Sequence, residues 1–190
     1  MPAPSPMLRS RAVIIWLSSH ALRLMCVYAR ELSPLENGGI LLGWRSGEDY
    51  VVVDLRGPGP RALHGRHCFI PDHAWQVNEI NRAFEASCGD LDYLGDWHSH
   101  PNGIAEMSDL DSATLLRIAR QVKAPLMLIV AGSGTDWSPH CWKGRLVGPP
   151  LWRRLEAMSQ ELKVFDPPAA WPGSRTVGSA SLAICQSKTS

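Results

Sequence analysis

Apolar positions along the chain fall into short continuous runs alternating with stripes at helical spacing, so strands and helices take turns. Residues 12–17 (AVIIWL) are rich in β-branched side chains and predict a buried strand. Ser18 or Ser19 then caps a helix in which Leu22, Met25, Cys26 and Ala29 form one stripe that ends at the Ser33-Pro34 break. Residues 39–42 and 50–55 read as two further strands, separated by the Ser46-Gly47 turn. The Gly- and Pro-rich stretch 57–66 predicts a surface loop, and Asp72 an N-cap for a helix to about Ser87 with Val77, Ile80 and Phe84 on one side. Residues 91–99 predict a strand, 109–121 a helix, and 126–131 (LMLIVA) a strand buried on both faces. Residues 137–143 predict a last strand and 151–164 a C-terminal helix. The resulting order implies an α/β fold, one mixed central β-sheet with flanking helices.

Length and composition narrow this picture. A chain of 190 residues supports one domain, expected over 11–165, between a flexible leader at 1–10 and a Pro-, Ser- and Gly-rich tail at 166–190 expected to be disordered. A net charge of +1 with 19% charged residues gives no basic field for nucleic acid and no polybasic run for a membrane surface. Arg9 and Arg11 precede an apolar stretch too short, and too soon broken by His20 and Arg23, for a secretory signal. No run approaches the roughly 20 residues needed to span a bilayer. Five scattered cysteines without a CxxC pair argue against a disulfide framework or thiolate metal site, and the expected location is the cytoplasm.

Chemistry concentrates in the stretch GDWHSHPNGIAEMSDLD. His98 and His100 are two apart at the end of a predicted strand, so both imidazoles share a face and can share an ion. Trp97 should then point the other way, into the core. After the Pro101 and Gly103 turn, Asp111 falls in the first turn of the next helix, where its carboxylate can reach back as a third ligand. Three protein ligands are the pattern of a catalytic zinc, which acts as a Lewis acid and lowers the pKa of water to roughly 7. Ser108 and Asp111 alone would read as an ordinary capping pair, and the two readings are compatible. A nucleoside deaminase would need H-x-E and P-C-x-x-C, neither of which occurs. A cysteine protease built on Cys68 or Cys88 would need a paired histidine, and His67, next to Cys68, points to the opposite face of a strand.

The string His98-x-His100-Pro101, six residues, Ser108-x-x-Asp111 resembles the HxHPx(6)SxxD motif of the JAMM, or MPN-plus, metalloprotease family. Glu36-Asn37-Gly38-Gly39-Ile40-Leu41-Leu42-Gly43 looks like its upstream glutamate element, so the resemblance covers roughly residues 12–145. It implies the MPN/JAB (cytidine-deaminase-like) architecture and one Zn2+ per chain, held by His98, His100 and Asp111. It further implies that Glu36 acts as general base and Ser108 as oxyanion stabiliser, roles that a carboxylate beside a metal site and a nearby hydroxyl can fill. Residues 69–72 (FIPD) and 93–97 (YLGDW) look like the small bacterial members, several of which belong to CBASS or bacterial ubiquitin-like conjugation operons. The expected substrate is therefore a ubiquitin-like protein or its conjugate, with E1-like and E2-like operon partners. A processing peptidase for a sulfur-carrier or ubiquitin-like precursor is the alternative; a noncatalytic MPN scaffold is a third reading, set back by the complete ligand set.

Overall fold

The β-branched run near the start of the chain forms β1 (Ile14–Ser18), which Ser18 ends by accepting a hydrogen bond from the Ala21 N–H at 3.0 Å. That bond satisfies one of the free amides at the start of α1 (Ser19–Leu32), whose Ala21, Met25 and Ala29 are buried. The computed structural model describes residues 12–172; the expected leader and residues 173–190 of the expected tail lie outside them. Next come the hairpin β2 (Gly38–Ser46) and β3 (Asp49–Arg56), then a two-stranded ribbon of β4 (Leu63–His64) and β5 (Phe69–Ile70) within and just after the expected loop. After it follow α2 (His73–Ala86), β6 (Asp92–His100), α3 (Asp109–Ala119), β7 (Leu126–Ser133) and β8 (Asp136–Val147).

With β9 (Arg154–Ser159) and β10 (Glu161–Phe165), the described residues form one mixed eight-stranded sheet in the order β10-β1-β3-β2-β6-β7-β8-β9, with β6 and β7 parallel at its middle. The α/β class expected from the pattern is the observed one. Strand alternation places Leu126, Leu128 and Val130 of β7 against the α1 side, while Met127, Ile129 and Ala131 pack with Leu115 of α3. This is why the LMLIVA run carries no polar position.

In β6 the regular alternation is broken by a bulge opposite Leu41 and Leu42. Gly95 lies there at φ +148°, and a Cβ would collide with the Leu126 carbonyl, so only glycine fits. The extra residue resets the phase. Leu94 and Trp97 both join the α1-side core, and His98 and His100 face the opposite side.

The chain after β8 differs from the expectation. In place of a helix over 151–164 there is a short 3-10 turn, Pro150–Trp152, followed by β9 (Arg154–Ser159) and β10 (Glu161–Phe165). Leu155 and Ala157 alternate inward onto the α3 cluster, whereas Leu162 meets the α1-side core. The segment's Leu, Glu, Met and Lys are good helix formers, but edge pairing with β8 and β1 outweighs a preference worth only tenths of a kcal/mol per residue. Gln160 alone joins two strands at opposite ends of the sheet order, so the sheet must curl until its ends meet. Past β10, Trp171 folds back to lie 5.1 Å from the Trp44 ring and 5.9 Å from Phe165.

Candidate metal centre

Three elements meet at the C-terminal end of β6: the strand itself, the start of β2, and the N-terminus of α3. His98 and His100 project from the strand on one face with their Nε2 atoms 3.0 Å apart. Asp111 reaches back from the first turn of α3, with Oδ1 at 3.1 Å from His98 Nε2 and Oδ2 at 3.5 Å from His100 Nε2. All three side chains are largely shielded from solvent.

These separations are close to the roughly 3.3 Å edge of a tetrahedron with metal–ligand bonds of about 2.0–2.1 Å. His100 Nδ1 lies 2.7 Å from the Ile104 carbonyl, which can only accept, so Nδ1 carries a proton and Nε2 is the nitrogen turned to the group, a donor to Asp111 in the imidazolium and a lone pair for a metal in the neutral ring. The Asp111 carboxylate is held at its back. The Ser108 N–H and Oγ–H each donate to Oδ2 at 2.7 Å, and Ser108 Oγ accepts from the Asp111 N–H at 3.2 Å, a complete capping box. Capping and ligand placement are thus one arrangement, and the helix terminus itself favours the negative charge. Burial pushes the Asp111 carboxyl up, but hydrogen bonds from His100 and His98 outweigh it and keep the group ionised well below the usual carboxylate range. Two imidazoles and one carboxylate, pre-oriented and partly desolvated, suit a borderline divalent ion, and the three protein donors grouped among the described residues match catalytic sites.

Glu36 occupies the turn before β2 and is only 8% exposed. Its N–H donates to the Gly65 carbonyl at 2.8 Å, and its own carbonyl accepts from His64 Nδ1 at 2.9 Å, so the β4–β5 ribbon fixes its backbone. Burial raises its carboxyl above the ordinary value; the nearby His98 and His100 pull it back and Asp111 pushes it further up. The structure therefore brings together Glu36, His98, His100, Ser108 and Asp111, whereas His140 lies on β8 beside Ser138 and His64 serves the Glu36 backbone. Several contributors carry no sequence signal of their own. Ile104 acts through its carbonyl, and Asp96, two residues before His98, is a half-buried carboxylate that accepts from the Tyr93 hydroxyl at 2.6 Å.

A domain with this sheet and a His-x-His plus aspartate group at the end of its central strand belongs to a recognisable class. The chain is a member of the prokaryotic homologs of the JAB domain, a family that matches residues 18–143. The probable metalloprotease y4qB of Sinorhizobium fredii is 32% identical over 160 residues, 80% of this chain and 97% of that protein. Two proteins named CD-NTase/cGAS isopeptidase are also similar: one from Vibrio cholerae, 30% identical over 62% of this chain and 76% of its own length, and one from Escherichia coli, 25% identical over 65% and 79%. The solution structure of a Desulfitobacterium hafniense protein superposes with a TM-score of 0.61, covering 80% of this chain and 94% of that one at 21% identity, which shows the shared fold. Among the described residues no helix is long and apolar enough to cross a membrane.

The donor set carries a pH dependence. A divalent ion needs the free lone pair of His100 Nε2, and in the metal-free protein the His100 imidazole holds its proton to higher pH than usual: burial works against the charge, but the Asp111 hydrogen bond, the Ile104 carbonyl and the charges of Asp111 and Glu36 prevail. Metal affinity should fall as pH is lowered through that raised value, by roughly tenfold per pH unit for each proton displaced. Titration of the metal-free protein with Zn2+ at pH 8 and pH 5.5 checks this.

Proposed function

We propose that the protein is a zinc-dependent isopeptidase or peptidase that cleaves after the C-terminal tail of a ubiquitin-like protein, releasing it from a conjugate. The observation that carries this reading is the convergence of one carboxylate and two imidazoles on a common point, with the buried Glu36 carboxylate within their field. The names of the relatives, a metalloprotease and two isopeptidases, support the reaction class. The isopeptidase names also support a place in a bacterial antiphage system; E1-like and E2-like enzymes are the partners that such a conjugation role would call for.

His98, His100 and Asp111 hold the ion. When bound, zinc supplies a Lewis acid for the scissile carbonyl and makes water acidic enough to ionise near neutral pH. Glu36 takes a proton from the attacking water and passes it to the leaving amine nitrogen as the C–N bond breaks. Its raised pKa suits both halves of that exchange. The Ser108 hydroxyl, one turn from the ligands, stabilises negative charge developing on the carbonyl oxygen, exchanging its bond to Asp111 for one to substrate.

The test loads the protein with one equivalent of Zn2+ and incubates it with a panel of ubiquitin-like proteins joined through their terminal glycine to a fluorescent lysine isopeptide, and with the same proteins as linear precursors. Release of the lysine fluorophore is the expected result. A protein that binds zinc and leaves the whole panel intact would overturn the substrate assignment, and one that trims only linear precursors would convert it to a processing peptidase.

A further inference from the structure

Between the two candidate ligand histidines sits Ser99, fully buried, its side chain on the opposite face of β6. The backbone here continues the β2–β6 ladder one pair beyond Gly38 and His98. The Ser99 N–H donates to the Asn37 carbonyl at 2.7 Å, but the Asn37 N–H donates to Ser99 Oγ, at 2.9 Å. A regular hydrogen-bonded antiparallel pair exchanges two backbone bonds. Here a hydroxyl takes the second one, and the chain leaves the ladder at this point, so that the preceding residue, Glu36, runs to the β4–β5 ribbon.

Asn37 is 2% exposed and completes the arrangement from its other side. Its Nδ2 donates to the Tyr28 carbonyl of α1 at 3.0 Å, and its Oδ1 accepts the Gly38 N–H at 2.9 Å. Every polar atom of this residue bridges to a neighbouring element or to the next residue, and none of them faces the metal centre. The residue after the candidate base is therefore tied to α1 and to the strand that carries both imidazoles.

We infer that Ser99, acting through Asn37, is a positioning residue that sets the location of the Glu36 carboxylate relative to the His98–His100–Asp111 group. This rests on the proposed role of Glu36. Without the hydroxyl, the Asn37 N–H either loses its partner or turns to the Ser99 carbonyl. The second course draws the chain into the regular ladder and carries Glu36 with it. The ligand histidines stay, since their side chains lie on the other face and are held by Ile104 and Asp111.

The experiment compares wild type, Ser99→Ala, Ser99→Thr and Glu36→Gln, each loaded with Zn2+, on the cleavable conjugate identified from the panel above. Ser99→Ala should lose about 100-fold in kcat, the scale expected for a misplacement of about 1 Å, with KM unchanged and zinc affinity within twofold of wild type. Ser99→Thr keeps the hydroxyl and should restore most of the rate. Amide hydrogen exchange, measured on the metal-free proteins, gives a readout independent of activity: the Asn37 N–H should exchange faster in Ser99→Ala than in wild type or Ser99→Thr. Wild-type kcat in Ser99→Ala, a loss of rate that follows a loss of zinc, or an unchanged Asn37 exchange rate would each overturn the inference. Equal rates for wild type and Glu36→Gln would instead remove the base itself, a failure of the proposed function that the same data set separates from a failure of Ser99.

Discussion

Glu36→Gln is expected to keep its zinc and lose hydrolysis, with kcat down by about 10²–10⁴-fold, the usual contribution of a positioned general base. Glutamine matches glutamate in size and retains the backbone bonds to Gly65 and His64, so the substitution changes proton chemistry with little change of shape. None of the three candidate ligands is altered, and removing a buried acid with a raised pKa relieves the fold of a desolvation cost. Thermal stability should accordingly be equal or slightly higher. Metal analysis, a melting curve and steady-state kinetics on one sample check the three statements together. A glutamine variant that cleaves at the wild-type rate would mean that proton transfer runs through another group.

The largest loss of stability is expected at Trp97. Its side chain is completely buried, stacks on Tyr28 at 6.0 Å and donates from Nε1 to the Arg56 carbonyl at 3.2 Å. Trp97→Ala removes that contact area, leaves the Arg56 carbonyl without its donor and opens a cavity directly behind His98. Truncations of this kind cost about 3–5 kcal/mol, which for a domain of this size lowers Tm by roughly 10 °C. Trp97→Phe keeps much of the volume and should fall well between. Thermal unfolding of the three proteins in the presence of a chelator measures the packing effect apart from metal binding. A melting temperature within a degree or two of wild type for Trp97→Ala would mean that the core collapses to fill the space.

Much of the architecture was legible because local pattern and tertiary role coincide. The LMLIVA run is apolar throughout since both of its faces are covered, and Ser18, Asp72 and Ser108 are caps by residue type as well as by geometry. The candidate metal group was legible because three of its members share one short stretch of chain. Where the reading failed, at 151–164, the deciding fact was long-range: β9 and β10 are strands because β8 and β1 lie open beside them, which no local preference encodes. The Gly95 bulge was equally hidden, although it determines which of the strand's side chains share the histidine face. Contributions made by backbone atoms, such as the Ile104 carbonyl, leave no trace in residue identity.

The single-residue joint at Gln160 has a consequence for how the molecule keeps to itself. Strands at the margin of a sheet present unpaired amides and carbonyls that can template strand-to-strand polymerisation. Here the same short terminal segment covers β8 with one half and β1 with the other. A chain cut after Trp152 would uncover both at once, giving each molecule two different adhesive margins. Contacts between unlike surfaces propagate into fibres wherever the rotation from copy to copy does not close a ring. β9 and β10, only six and five residues long, thus stand as short margins where the twelve-residue β8 would otherwise lie open, blunting assembly as well as completing the core.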